Sequence, residues 1–283
     1  MGSLSPWVKL LRFEEYGPLF VLCGLAGSLY AGVGSYYGVA ALLAFVASFS
    51  ASAFVLNDIT DRQEDSLSSG TRNPLATGEL GVSSGVALFL LLAAGSVASL
   101  YFVSPPALYV APLVYGLYWG YSWGPGFKAR PGLDVAVHGA VPALFVFMGY
   151  LLFRPPSLGA ALLAGVVFCM AAMSGVVQEV RDMGRDSASR RTTAIVLGER
   201  RAVDLALASL AAGVALYSVA AASGGIPPAM LALVPFAWFL ASPLLGLRRG
   251  ELEAAEAIRS IRGRGLVLAG CAMLAFLAAA AAA

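Results

Sequence analysis

Charged residues are scarce in this chain, and the scarcity limits what kind of protein it is. Only 12% of its 283 residues are charged, whereas 59% are hydrophobic. An ordinary soluble domain carries about 25% charged residues. Because a soluble fold of this length cannot bury so much apolar surface in one core, the composition predicts an integral membrane protein.

Lysine and histidine are also rare. Lys9 and Lys128 are the only lysines, and His138 is the only histidine. No cluster of basic residues is interleaved with aromatic residues, so we expect no nucleic acid partner. The three cysteines are far apart in apolar runs and do not form a metal or redox motif.

Long apolar runs are abundant instead. A helix needs about 20 apolar residues to cross the hydrocarbon core of a bilayer. We find nine such runs, at about 17–35, 38–56, 80–103, 106–123, 133–153, 157–177, 203–222, 228–247 and 264–282. The sequence therefore predicts an all-α bundle of nine transmembrane helices, forming a single domain over residues 1–283.

The charges fall on one side of this nine-span arrangement. That side holds 17 of the 18 Lys and Arg residues and all 16 acidic residues, and only Arg154 lies on the other. The positive-inside rule makes the charged side cytoplasmic. We therefore expect a multi-pass protein of the cell membrane with its chemistry at the cytoplasmic face.

Two acidic clusters follow the second and sixth runs on this charged side. Asn57, Asp61 and Asp65 are four residues apart, so a continuing helix places them on one face, and Asp182 and Asp186 repeat that spacing. Facing carboxylates suit Mg²⁺, which takes one or two of them and completes its shell with substrate phosphate. The alternative is a solvated helix end whose acids are paired with nearby arginines.

An arginine-bearing loop follows each acidic cluster. Arg72 lies in the first loop, at 71–78, and Arg191 in the second, at 190–198. The parallel indicates a weak internal repeat of a four-helix unit, followed by a ninth helix. Acids for a metal beside a cationic loop for phosphate predict a diphosphate site.

With these motifs the chain resembles the UbiA superfamily of intramembrane prenyltransferases. The family motif N-D-x-x-D-x-x-x-D is matched by Asn57, Asp58, Asp61 and Asp65. The second family motif, D-x-x-x-D, is matched by Asp182 and Asp186. Two further segments are similar to family elements, namely Arg191-Thr192…Gly198 and Tyr121-Ser122…Lys128. One departure is Asn73 before Pro74, where many members have arginine.

The resemblance implies a magnesium-dependent transfer of a polyprenyl group from its diphosphate, through an allylic carbocation. It implies two Mg²⁺ ions, held by Asn57, Asp61, Asp65, Asp182 and Asp186. It implies a diphosphate site formed by Arg72, Lys128, Tyr121 and Arg191. We expect an aromatic acceptor such as 4-hydroxybenzoate; a glycerophosphate ether lipid, as in digeranylgeranylglyceryl phosphate synthesis, is the alternative.

Three further residues are candidates for the carbocation or acceptor pocket. Tyr115 is a candidate for shielding the cation through a cation–π contact, although an interfacial aromatic belt, the stronger alternative, predicts the same residue there. Asp134 and His138 are four residues apart at the start of the fifth run, where His138 is a candidate general base or a packing residue.

An ion-coupled transporter is the competing class of function. Its acids should lie near the middle of the membrane, whereas the acids here lie at the ends of the runs. Finally, apolar and charged residues alternate with a helical period over 248–262, which predicts an amphipathic helix on the membrane surface.

Overall fold

The computed structural model describes residues 5–67, 71–101, 105–124, 126–186 and 190–282. Within these ranges the chain is helical and has no strands. The longer helices are α2 (Phe13–Ala31), α3 (Tyr36–Thr60), α5 (Val82–Tyr101), α7 (Ala111–Ser122), α8 (Leu133–Leu151), α9 (Leu158–Asp186), α11 (Glu199–Ala222), α12 (Trp238–Arg249) and α13 (Ala254–Ala282). The short ones are α1 (Pro6–Leu11), α4 (Arg62–Ser66), α6 (Pro105–Leu108) and α10 (Thr193–Leu197), with 3-10 helices at Phe127–Ala129 and Pro228–Ala237.

Seven of the described helical segments are long and apolar enough to cross a membrane. They correspond to seven of the nine predicted spans; the first and fourth do not meet this standard. The first span is a shorter apolar helix, Gly17–Ala31. The fourth is divided into α6 and the 12-residue α7, because Pro112 stands in the first turn of α7 and starts a new helix there.

Neighbouring helices pack in an order that brings both halves of the chain together. Helix α3 packs between α5 and α2, α2 packs on α8, and α8 packs on α9, which in turn packs on α11 and α13. Helix α13 also contacts α2. One apolar core lies among α2, α3, α7 and α8, and a second lies among α9 to α13.

Small residues let α2 and α8 approach closely. A Cβ atom added at Gly27 would lie 1.9 Å from the carbonyl oxygen of Val146, and one at Gly149 would lie 2.1 Å from that of Gly24. The hydroxyl of Ser28 donates to the carbonyls of Gly24 and Gly149. Such contacts between small residues are typical of helix pairs within membranes.

The predicted surface helix at 248–262 is not a separate element. Helix α12 ends at Arg249, and residues from Ala254 onward are the first turns of α13. Ala257, Ile258 and Ile261 are buried against the second core. Their apolar stripe faces protein rather than lipid.

Candidate active site

The first acidic segment keeps its helical spacing although α3 ends within it. Asp61 is the C-cap of α3, and its backbone N–H donates to the carbonyl of Asn57 over 2.8 Å. The backbone N–H of Asp65, in α4, donates to the carbonyl of Asp61 over 2.8 Å. Because each bond spans four residues, the backbone still advances as a helix past Asp61.

Asp61 is paired with two cationic side chains. It is 8% exposed. Its Oδ1 accepts a hydrogen bond from Lys128 Nζ, and its Oδ2 lies 3.2 Å from Arg190 Nη2. The same Arg190 nitrogen lies 2.8 Å from Glu64 Oε2. Residues far apart in the sequence, from the segment after α7 and from the loop after α9, thus meet at the end of α3.

Asn73 fastens the first loop to the acidic segment. Its side-chain amide nitrogen donates to the carbonyl of Asp58 and to Asp65 Oδ2, both over 2.8 Å. Its Oδ1 accepts from the backbone N–H groups of Leu75 and Ala76, as a turn-forming asparagine does. Asn73 is fully buried, so these bonds fix the loop where its sequence departs from the family pattern.

The N-terminal helix α1 and its C-cap, Arg12, pack against the same end of the bundle. Arg12 Nη2 lies 2.8 Å from Oδ1 of Asp58, which is 1% exposed, and Leu10 is buried beneath the first loop. Lys9 Nζ lies 2.9 Å from Glu79 Oε2, and this hydrogen bond lowers the pKa of Glu79. Asp58 therefore supports the acidic segment by pairing with Arg12.

The second acidic segment is a continuous part of α9. Both carboxylate oxygens of Asp182 accept from the adjacent Arg181, at 2.9 and 2.6 Å. Glu179 is buried, and its Oε2 accepts from the backbone N–H of Ala194, 3.0 Å away in α10. Asp186 is the last residue of α9, and its side chain lies outside the described part.

Of the four residues predicted to bind the diphosphate, one contacts the acids, two are exposed on loops, and one is bonded to a histidine. Lys128 lies against Asp61. Arg72 and Arg191 are both exposed, on the two loops that border the acids. Tyr121 accepts or donates a hydrogen bond with His138 Nε2 over 3.1 Å, and the two rings meet edge to face.

Tyr115 belongs to an aromatic group inside the bundle. Its hydroxyl lies 2.6 Å from that of Ser96 and 3.4 Å from that of Ser52. Its ring meets Phe49 edge to face, with ring centroids 4.9 Å apart. Phe49 precedes Asn57 by eight residues on α3, about 12 Å along the helix axis, so this group lies below the acids.

Asp134 anchors a helix end. It is 1% exposed, and its Oδ2 accepts from the backbone N–H of Thr193 over 2.6 Å. Its Oδ1 accepts from the Thr193 hydroxyl and from the backbone N–H of Val135. These bonds join the start of α8 to the start of α10. His138, one turn further along α8, packs against Gly175 of α9.

The donor chemistry at the end of α3 fits a magnesium ion. Asn57, Asp61 and Asp65 offer amide and carboxylate oxygens, the ligands that Mg²⁺ takes in proteins. Both Asp61 oxygens already attract cationic side chains. Across the described ranges, no three His, Cys, Asp or Glu side chains are grouped so as to hold a metal, and the side chain of Asp186 lies outside them.

Sequence reasoning missed Arg190, Glu64 and Asn73. Arg190 and Arg191 are adjacent, and the residue after them, Thr192, is an extended N-cap with φ −80° and ψ 167°. Arg190 contacts Asp61 and Glu64, whereas the side chain of Arg191 is exposed. The asparagine before a proline at Asn73 is a turn signal that was available in the sequence.

A model of the UbiA prenyltransferase family matches residues 19–261 of the chain. A comparison with curated protein sequences gives no significant match. The fold is also found among solved structures. An apo UbiA homologue from Aeropyrum pernix K1 aligns with a TM-score of 0.78 at 22% identity, covering 94% of this chain and 99% of that one.

Two further structures share the fold. A UbiA homologue from Archaeoglobus fulgidus, bound to GPP and Mg²⁺, aligns with a TM-score of 0.74 at 21% identity, covering 97% of this chain and 100% of that one. A structure described as a study of digeranylgeranylglyceryl phosphate synthase in membranes aligns with a TM-score of 0.75 at 14% identity, covering 95% and 96% of the two chains.

Proposed function

This chain belongs to the UbiA prenyltransferase family, and from that premise we propose that it transfers a polyprenyl group from its diphosphate to an aromatic acceptor such as 4-hydroxybenzoate. The observation that carries the proposal is the meeting at Asp61. Acids after α3, a lysine after α7 and an arginine after α9 converge there. Carboxylates for a metal beside cations for phosphate are what a diphosphate site needs.

Two Mg²⁺ ions are the proposed cofactor. Asn57, Asp61 and Asp65 would hold one, and Asp182 and Asp186 the other. When bound, the ions neutralise charge that develops on the leaving diphosphate. The A. fulgidus homologue described as bound to GPP and Mg²⁺ supports this choice of metal.

The proposed task of the cationic side chains is to bind the diphosphate and stabilise it as it leaves. Lys128 lies at the acids, and Arg72 and Arg191 lie on the loops that border them. The allylic C–O bond breaks, and its electron pair leaves with the diphosphate. Fixed cations at that position lower the barrier because negative charge develops there. Tyr121 contributes a hydroxyl held by His138.

The aromatic group inside the bundle is proposed to line the prenyl chain where it leaves the diphosphate, with Tyr115 as the candidate that shields the carbocation. Tyr115 contacts Phe49 edge to face, and Phe49 precedes Asn57 by about 12 Å along α3. Ring faces stabilise a nearby cation. The carbocation then bonds to a carbon of the acceptor, which loses a proton; His138, and Asp134 one turn before it, are the candidates near the acceptor.

The active site is proposed to face the cytoplasm, on a bundle that crosses the membrane nine times as one domain. The support is the distribution of charge, with 17 of 18 Lys and Arg residues on one side. Seven described helices meet the length and composition needed to span. The two shorter ones are counted as spans because α2 and α7 pack against long neighbours, α8 and α3.

A glycerophosphate ether lipid is the second candidate acceptor. The fold shared with the digeranylgeranylglyceryl phosphate synthase study favours keeping it. An ion-coupled transporter is less favoured, because the described acids gather at one end of the helices and are paired there with cations.

Substitution of single carboxylates tests the proposed site. Asp61→Asn and Asp182→Asn keep side-chain shape but remove a charge, so each should lower diphosphate release by at least about 100-fold, as losing one preorganised charge contact does. The measurement is release of labelled diphosphate by each purified variant.

Asp204→Asn is the matched control. Asp204 is an exposed carboxylate paired with Arg248 on α12, so its removal changes the net charge equally. It should retain close to full activity. Near-normal turnover of Asp61→Asn, or an equal loss in all three variants, would contradict the proposed site.

A further inference from the structure

Arg190 ties the loop after α9 to the acids after α3. Its Nη2 reaches Asp61 Oδ2 over 3.2 Å and Glu64 Oε2 over 2.8 Å. The other oxygen of Asp61 accepts from Lys128 Nζ. Both oxygens of the proposed metal ligand are therefore already bonded to cationic side chains.

This arrangement opposes the binding of a metal ion alone. The four side chains Asp61, Glu64, Lys128 and Arg190 sum to zero formal charge, and three of them are less than one-fifth exposed. A divalent cation that takes an Asp61 oxygen must displace a cation from a partly buried position. That displacement costs Lys128 or Arg190 an anionic partner, which is unfavourable in a partly buried position, and a further anion would offset the loss.

A diphosphate supplies that partner. Its oxygens accept hydrogen bonds from a guanidinium, which can offer two parallel N–H groups to a phosphate. Arg190 follows Asp186 by four residues, which span at most about 14 Å of extended chain. Arg190 therefore belongs to the loop that directly follows the second acidic segment, while its side chain contacts the first.

The backbone next to Arg190 is anchored. Thr193 donates to Asp134 through its N–H and its hydroxyl, and Thr192 caps α10 through the N–H of Ile195. The long arginine side chain can change partner while this anchored backbone stays in place.

We propose that Arg190 couples magnesium binding to donor binding: it occupies Asp61 and Glu64 until the donor diphosphate takes it over. Magnesium then binds strongly only together with the donor. The inference rests on the proposed function and adds a residue to it, in a role distinct from that of Arg191. In the complex Arg190 binds the diphosphate. In the donor-free protein its positive charge offsets the negative charge of Asp61 and Glu64.

Arg190→Gln tests the coupling through two binding measurements on the full chain in detergent. The first is calorimetric titration with magnesium alone. The second is titration with geranyl S-thiolodiphosphate, a donor analogue that resists cleavage, at saturating magnesium. The variant should bind magnesium alone about tenfold more tightly and the analogue about tenfold more weakly, the effect expected for one charged hydrogen bond. A residue with only a structural role would weaken both.

Two further variants complete the experiment. Arg200→Gln removes an exposed cation at the start of α11 and should leave both affinities unchanged. Arg190→Lys keeps the charge but replaces the planar fork with a single ammonium group, so its magnesium affinity should lie between those of wild type and Arg190→Gln. If Arg190→Gln does not fold, the magnesium affinity of Arg190→Lys, compared with that of the wild type, tests the coupling.

The possible results separate the two claims. If wild-type protein binds the analogue only with magnesium, but Arg190 variants bind magnesium alone as wild type does, the coupling is wrong and the proposed function stands. A similar shift in Arg200→Gln would reduce the effect to net charge and also overturn it. If wild-type protein binds no analogue with magnesium present, the proposed function itself fails.

Discussion

Asn73 illustrates how much one loop residue determines at this site. It is fully buried and bonded to Asp58 and Asp65 on one side and to Leu75 and Ala76 on the other. A loop residue with so many internal bonds holds two segments in register. Its partners are residues of the acidic segment, so the position of Asp65 depends on it.

Asn73→Ala should lower the free energy of unfolding by about 1–3 kcal/mol, because it leaves buried backbone groups without partners. It should also weaken donor binding, since Asp65 loses a hydrogen bond that orients it. Thermal unfolding in detergent and titration with the donor analogue measure the two effects.

Thr77→Ala is the control from the same loop. Thr77 is exposed, and its hydroxyl bonds to Glu79 and to the carbonyl of Pro74. A surface change of this kind alters stability by less than about 0.5 kcal/mol. If Asn73→Ala were as stable as Thr77→Ala, the fastening role would be wrong.

The sequence predicts the position of a residue where helical spacing determines it, but not where a contact with a residue distant in the sequence determines it. The helical spacing of Asn57, Asp61 and Asp65 follows from the sequence and is retained in the backbone bonds. The choice between Arg190 and Arg191 depends on contacts with Asp61 and Glu64, which lie 129 and 126 residues away in the sequence. The hydrogen bond between Thr193 and Asp134 joins residues that are 59 apart in the sequence, so no local sequence pattern predicts it.

At the scale of helices, apolar periodicity predicts that a helix exists, but it does not predict whether the apolar face packs on lipid or on protein. The stripe at 248–262 predicts a helix on the membrane surface, yet its residues from Ala254 onward form the start of α13 and pack on the second core. Lipid and protein select the same apolar residues. Prolines were more informative, because Pro112 explains why the fourth predicted span is divided.

Ile258→Ala tests this packing. Ile258 is 2% exposed in the second core, so the variant should lose about 2–5 kcal/mol of stability through the cavity that it leaves. The measurement is thermal unfolding in detergent. Glu256→Ala, an exposed position on the same helix, should have little effect. Equal stability of the two variants would contradict this packing and would favour a position of the stripe on the membrane surface.

At the scale of the whole molecule, paired charges gather at one end of an apolar bundle. Four ion pairs lie there: Arg12 with Asp58, Lys9 with Glu79, Lys128 with Asp61, and Arg190 with Asp61. The apolar remainder suits a substrate with a polar diphosphate head and a long hydrocarbon tail. The central claim is therefore a magnesium-dependent cleavage of a prenyl diphosphate at that end.

The two halves contribute to this end in a similar way. Asn73 fastens the first loop to the acids after α3, and Glu179 accepts from the second loop at Ala194. These matching bonds support the proposal of an internal four-helix repeat followed by α13.

The most direct test is release of diphosphate from radiolabelled geranylgeranyl diphosphate by the purified protein, with and without magnesium. The acceptor panel contains 4-hydroxybenzoate, a naphthoquinone precursor and a glycerophosphate ether lipid. We expect release and a prenylated product with one acceptor, only when magnesium is present. Absence of cleavage with every acceptor, in protein shown to be folded, would contradict the account.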